Sequence, residues 1–171
     1  MQARDAPEPS GSALAIAADS DGALAVVGTH RMSIVGNAID VPVMVRLRPD
    51  GHFDRTFSGN GKVHLGTDKL SSREAVDVTL GPDGVAYWVG TRYWPTGGSN
   101  EWALVGGRNQ DGSKDRRFGR AGSMAVSFGP SGDNGMAMTM DADGRLVAAG
   151  RAWPSGDSIQ LSLGLARLKL S

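Results

Sequence analysis

"GPDGVAYWVG", residues 81–90, opens on a turn-forming Asp-Gly pair, runs through apolar residues and closes on a glycine. The same phrase is written twice more, as "DSDGALAVVG" at 19–28 and "DADGRLVAAG" at 141–150. Asp21, Asp83 and Asp143 lie 62 and 60 residues apart, and a second Asp-Gly series, at Asp50 and Asp111, keeps a step of 61. Phe57-Ser-Gly-Asn-Gly61 returns as Phe118-Gly-Arg-Ala-Gly122, again 61 residues on. Self-similarity at a constant period marks a repeat architecture, in which each unit is one supersecondary element that buries its apolar face against a neighbour.

Side-chain periodicity gives the unit its content. Leu14, Ile16 and Ala18 precede the first hairpin, Val76, Val78 and Leu80 the second, and Met136, Met138 and Met140 the third. Such period-two apolar alternation predicts a strand with one buried face. Asp-Gly then supplies a positive φ at little cost and returns the chain as a hairpin. The returning segments "ALAVVG", "VAYWVG" and "RLVAAG" are apolar on successive residues, which predicts central strands covered on both faces. A third strand is expected at 41–47, 101–108 and 159–168, and a fourth at 61–65 and 122–128 only. No stretch of a dozen residues carries a 3.6-residue apolar period. The expected fold is therefore all-β, a propeller-like repeat of about three four-stranded units, with a closed, threefold β-trefoil-like arrangement as the alternative. Residues 1–12 read as a flexible lead-in or the start of a mature secreted chain. Residues 13–171 read as a single β-repeat domain with units at approximately 13–74, 75–134 and 135–171.

"VRLRPDGHFDRTFSGNGKV" (45–63), followed by "VDVTLGPDGVAYWVG" (76–90), resembles the bacterial delta-60 repeat: Arg-Leu-x-x-Asp-Gly, then Phe-Gly-x-x-Gly, then an Asp-Gly hairpin ending in Gly. The resemblance covers nearly all of the chain after residue 12. It implies a propeller-like β architecture in tandem arrays, often on secreted or surface proteins, and no catalytic residues. Two positions depart from the pattern. Gly107 stands where the first unit has Arg46, which predicts a local bulge in the third strand of the middle unit, and Ser58 replaces the usual glycine.

Glycine, at 25 of 171 residues, is well above the usual ~7% and fits many tight turns. Eighteen basic residues balance eighteen acidic ones, so no net field draws nucleic acid or an anionic membrane, and neither is expected as a partner. No apolar run approaches the ~18 residues of a membrane span, so no membrane insertion is expected. The absence of cysteine removes disulfides and thiolate chemistry and leaves the redox compartment open. A secreted or periplasmic location and a cytoplasmic one both fit.

Candidate chemistry is sparse. Histidines 30, 52 and 64 have no metal-ligand spacing, and "GPSGD" at 129–133 does not make a nucleophile elbow. "DSDG" and "DADG" look like the start of a calcium loop, but the later ligands do not follow, and "GPDG" drops the first acid. No catalytic residue, metal or cofactor is expected. Two rim loops stand out: "TRYWPTGGSNEW" (91–102) and "RAWPSGDS" (151–158) both put Arg, an aromatic residue and Trp-Pro after the repeat's glycine. Arg92, Tyr93, Trp94, Trp102, Arg151 and Trp153 are thus the candidate residues for a ligand or partner, because large rings on loops stack on sugars and anchor interfaces. Phe57 and Phe118 read as packing between units.

Three units share only two copies of the fourth strand, which predicts open edges that another chain must cover. The function expected is a non-catalytic interaction module for protein association or ligand display, completed by self-association or a partner chain. Two alternatives stay open: the non-catalytic subunit of a heteromeric hydrolase, and a carbohydrate-binding module built on the loop tryptophans.

Overall fold

The computed structural model describes residues 11–34, 37–66, 72–93, 101–153 and 162–170, and the architecture is all-β. The first sheet is β1 (Gly11–Ala18), β2 (Leu24–Ile34), β3 (Asn37–Leu47) and β4 (Lys62–His64). The second is β5 (Ser72–Leu80), β6 (Ala86–Tyr93), β7 (Trp102–Arg108) and β8 (Ser123–Val126), with a single 3-10 turn, Arg116–Phe118, between the last two strands. The third is β9 (Asp133–Met140), β10 (Leu146–Ala152) and β11 (Ser162–Leu168). Neighbouring strands in every sheet follow chain order and pair antiparallel, and among the described residues none of the three sheets closes on itself.

One turn design serves all five Asp-Gly sites. Gly22, Gly51, Gly84, Gly112 and Gly144 each hold a φ between 70° and 84°, where any side chain would be strained. In each turn the glycine amide donates three residues back, to Asp19, Arg48, Gly81, Asn109 or Asp141, and that residue's own amide donates four residues forward. This is the three-residue hairpin loop that ends on a left-handed glycine. Asp19 and Asp141 reinforce it, each Oδ1 accepting from the amides two and four residues ahead. Gly81 replaces that aspartate in the middle hairpin because a Cβ there would lie 2.7 Å from the Tyr87 ring, and Asp83 Oδ1 accepts from Val85 instead.

The closing glycine answers a second constraint. Register slips by one residue at Leu14, Val76 and Met136, a β-bulge repeated at the same place in each sheet. The bulge presses a carbonyl oxygen of the first strand against the hairpin's return. A Cβ on Gly28, Gly90 or Gly150 would sit 1.9, 1.9 and 1.8 Å from the oxygens of Ser12, Glu74 and Asn134. No larger residue fits.

The three sheets stack in chain order: β5 packs across β1, β2 and β3, while β9 packs across β5, β6 and β7. Two seams result. In the first, Ala25, Val27, Met44, Phe57 and Leu65 of the first sheet and its loops meet Val78, Ala86, Trp88 and Leu104 of the second. In the other, Tyr87, Val89, Val105, Phe118 and Val126 of the second sheet meet Met138, Leu146 and Ala148 of the third. Each sheet thus turns one set of positions forward and the other backward. Trp88 is the largest buried side chain, and Gly106 admits it, since a Cβ at 106 would lie 2.7 Å from its ring. Phe57 and Phe118 are both buried, one in each seam.

Two expectations are corrected. The alternation read across Leu14, Ile16 and Ala18 is interrupted by the bulge, so Leu14, Val76 and Met136 are not in phase with the residues two positions on; Ile16 is exposed, whereas Val78 is buried. The bulge expected at Gly107 is absent, because β6 and β7 pair without a slip from Ala86–Arg108 to Arg92–Trp102. Gly107 instead leaves room for Asp115 and Phe118, at 2.9 and 3.2 Å from a hypothetical Cβ. The guanidinium arrives from Arg117, whose Nε donates to both Asp115 oxygens at 3.0 and 2.9 Å.

Candidate functional site

The second seam opens at its rim into a cleft of about 210 Å³ lined by Glu74, Tyr93, Asn134, Met136 and Arg151, among others. Tyr93, on the last residue of β6, donates its hydroxyl to Glu74 Oε1 at 2.5 Å and accepts from Asn134 Nδ2 at 3.5 Å. Burial, then the Glu74 carboxylate, pushes the Tyr93 hydroxyl far above the ordinary tyrosine range, so it stays a neutral donor. Asn134 Oδ1 is buried without a hydrogen-bond partner among the described residues. The cleft can hold a small polar group, but Tyr93 and Glu74 already satisfy each other.

Of the six residues singled out by the rim loops, the structure brings Tyr93 and Arg151 together here. Arg92 precedes Tyr93 on the same strand and so faces the opposite side of the sheet, paired in register with the half-exposed Trp102. Trp153 is half-buried, its main chain bonded to Ser131 and Gly132, and it does not line the cleft. Trp94 lies outside the described residues. Glu74 and Asn134 were not foreseen, although the repeat marks them: with Ser12 they are the residues whose carbonyls press on the closing glycines.

The turns next to the seams are held by charge. In the first sheet Arg46 Nη2 reaches Asp19 and Nε reaches Asp54, both at 3.6 Å, and Nη1 donates to the Gly84 carbonyl of the next sheet at 3.1 Å. In the second, Arg117 Nη2 donates to Asp83 Oδ2 at 3.0 Å and to Tyr87 Oη at 2.7 Å. Burial alone would raise the Asp83 carboxyl, but hydrogen bonds from Arg117, the Val85 amide and Tyr87 hold it below the usual range. Asp19 and Asp141, the calcium-like carboxylates of the sequence, are occupied in the same way, Asp141 pairing with Arg145 at 2.9 Å and Arg167 at 3.4 Å.

The two outer faces of the sheet stack carry exposed apolar residues. The third sheet's forward face exposes Leu163 by 79% and Leu165 by 66%. By strand register Leu165 is the copy of Met44 and Val105, both 0% exposed, and Leu163 is the copy of the buried Pro42 and Ala103. The first sheet's backward face exposes Ile16 by 62%, although its copies Val78 and Met138 are buried. Leu24 and Val26 are half-covered there, while their copies Ala86, Trp88, Leu146 and Ala148 are buried. Both outer faces therefore carry positions that the repeat uses in its seams, and among the described residues no other sheet packs on them. No family model matches this chain, and no curated protein matches it either.

Proposed function

We propose that the chain is a non-catalytic, propeller-like repeat module whose work is protein association through the two outer faces of its sheet stack. One observation carries this reading: positions that the repeat buries inside both seams, such as Met44 and Val105, recur as the exposed Leu165. Exposed leucines and isoleucines scattered singly are ordinary, but these fall on two opposed faces at positions built for a seam. The stacking of small antiparallel sheets in chain order, and the resemblance to delta-60 repeats, support reading each sheet as a blade. Self-association and a partner chain both satisfy the reading. The rim cleft, with Tyr93 bound to Glu74, favours neither the carbohydrate module nor the hydrolase subunit.

The test combines an apolar-binding dye with the absolute mass of the chain over a wide concentration range. Association, or a monomer that makes the dye fluoresce strongly and loses most of that signal on Leu165→Lys, is the expected result. A monomer at every concentration with no dye signal overturns the reading.

A further inference from the structure

We propose that the occupant of these faces is a second copy of this chain, docked head to tail, with the backward face of its first sheet on the forward face of the third. This rests on the association reading above and adds partner and orientation. The geometry is displayed twice within one molecule: in each internal seam a forward face meets a backward face, and like faces never meet. The exposed pair is one of each kind.

Side-chain sizes agree. In the first seam both faces supply bulk, Trp88 and Leu104 of the backward face meeting Met44, Phe57 and Leu65 of the forward face. In the second it comes from the forward face, with Tyr87 set against Ala148. The new seam would share the volume, with Leu163, Leu165, Val147 and Ala149 on one side and Ile16, Leu24 and Val26 on the other.

A polar contact fixes the register. Arg167 is the copy of Arg46 by strand pairing, and Gly22 is the copy of Gly84. Arg46 crosses the first seam to donate to the Gly84 carbonyl at 3.1 Å. Arg167 stands 59% exposed, with Asp141 3.4 Å away, and in the docked pair its guanidinium reaches the Gly22 carbonyl of the second copy. The seam joins separate copies, so the association depends on concentration. Because the contact joins unlike faces, two copies close a ring if the rotation permits and otherwise chains grow.

The experiment uses two full-length variants, Ile16→Lys and Leu165→Lys, and measures mass by light scattering, with near-ultraviolet circular dichroism to establish that each folds. The wild type is expected to exceed the monomer mass, and each variant alone to fall back to it. An equimolar mixture should recover a dimer, because one variant keeps an intact forward face and the other an intact backward face. Arg167→Ala should weaken wild-type association several-fold without changing the fold. If each variant still dimerises alone, or the mixture stays monomeric while the wild type associates, the head-to-tail pairing is overturned and association through these faces survives. A wild type that stays monomeric but lights up the apolar dye also overturns it and points to a different partner chain. A monomer dark to the dye removes both readings.

Discussion

The second sheet and the two that flank it are built from one repeat, yet they live in different environments. On β6 every residue from Ala86 to Thr91 is buried, because a sheet covers each face. On β10 burial alternates, and on β2 Leu24 and Val26 are only half-covered. The strand pattern that reads as "central" is thus a statement about neighbours: the same run of apolar residues is core in the middle and surface at the ends. In a stacked repeat, stability concentrates in interior units and adhesiveness in terminal ones.

The largest effect that sharpens this comparison is on side-chain removal. Trp88→Ala should destabilise by about 3–5 kcal/mol, because it empties the first seam and the Gly106 recess leaves nothing to collapse into it. Val26→Ala, the same repeat position on the outer face, should cost under about 1 kcal/mol in the monomer. Chemical denaturation of both variants at low protein concentration measures the difference, and equal losses would break the distinction between middle and flank.

A smaller effect separates the two Phe-Gly turns. Ser58 holds φ 55°, whereas its copy Gly119 takes φ 77° without a Cβ. Ser58→Gly should stabilise by about 1 kcal/mol while keeping the amide's bond to the Asp111 carbonyl. A fall in melting temperature would show that the serine side chain contributes more than its backbone costs.

The smallest effect is in pH. His64, stacked on His30 with ring centroids 6.0 Å apart, has its imidazole pushed below the ordinary value by partial burial and then by His30. A lowered folded-state value means the unfolded chain takes up the proton first, so stability is full above about pH 6.5 and declines as pH falls below it. The copy of His64 in the second sheet is Ala125, so among the described residues this histidine pair belongs to the first sheet alone. Between pH 7.5 and 5 the melting temperature of His64→Ala should fall slightly less than that of the wild type, by about a degree. Parallel curves would remove His64 from the account.

Much of this was legible in the chain. The period, the hairpins and the four strand types follow from Asp-Gly, Phe-Gly and apolar spacing, since a positive φ and a two-residue alternation are local demands. The bulge was not legible, because a one-residue slip leaves composition unchanged, although the invariant closing glycine was its trace. Nor was the exchange at Gly107: Arg117 takes over the carboxylate of Asp115 from ten residues away, and only the folded turn brings them together. Among the rim residues, Tyr93 and Arg151 share a cleft while Arg92 does not, because adjacent strand residues point to opposite faces.

By itself the sequence determined what each unit is, an all-β element of short antiparallel strands joined by glycine turns, since backbone sterics and side-chain period act within a few residues. The tertiary structure decided which copy of each apolar position is core and which is surface. Burial belongs to the neighbouring sheet, and nothing in Leu165 distinguishes it from Met44 or Val105 until the sheets are stacked.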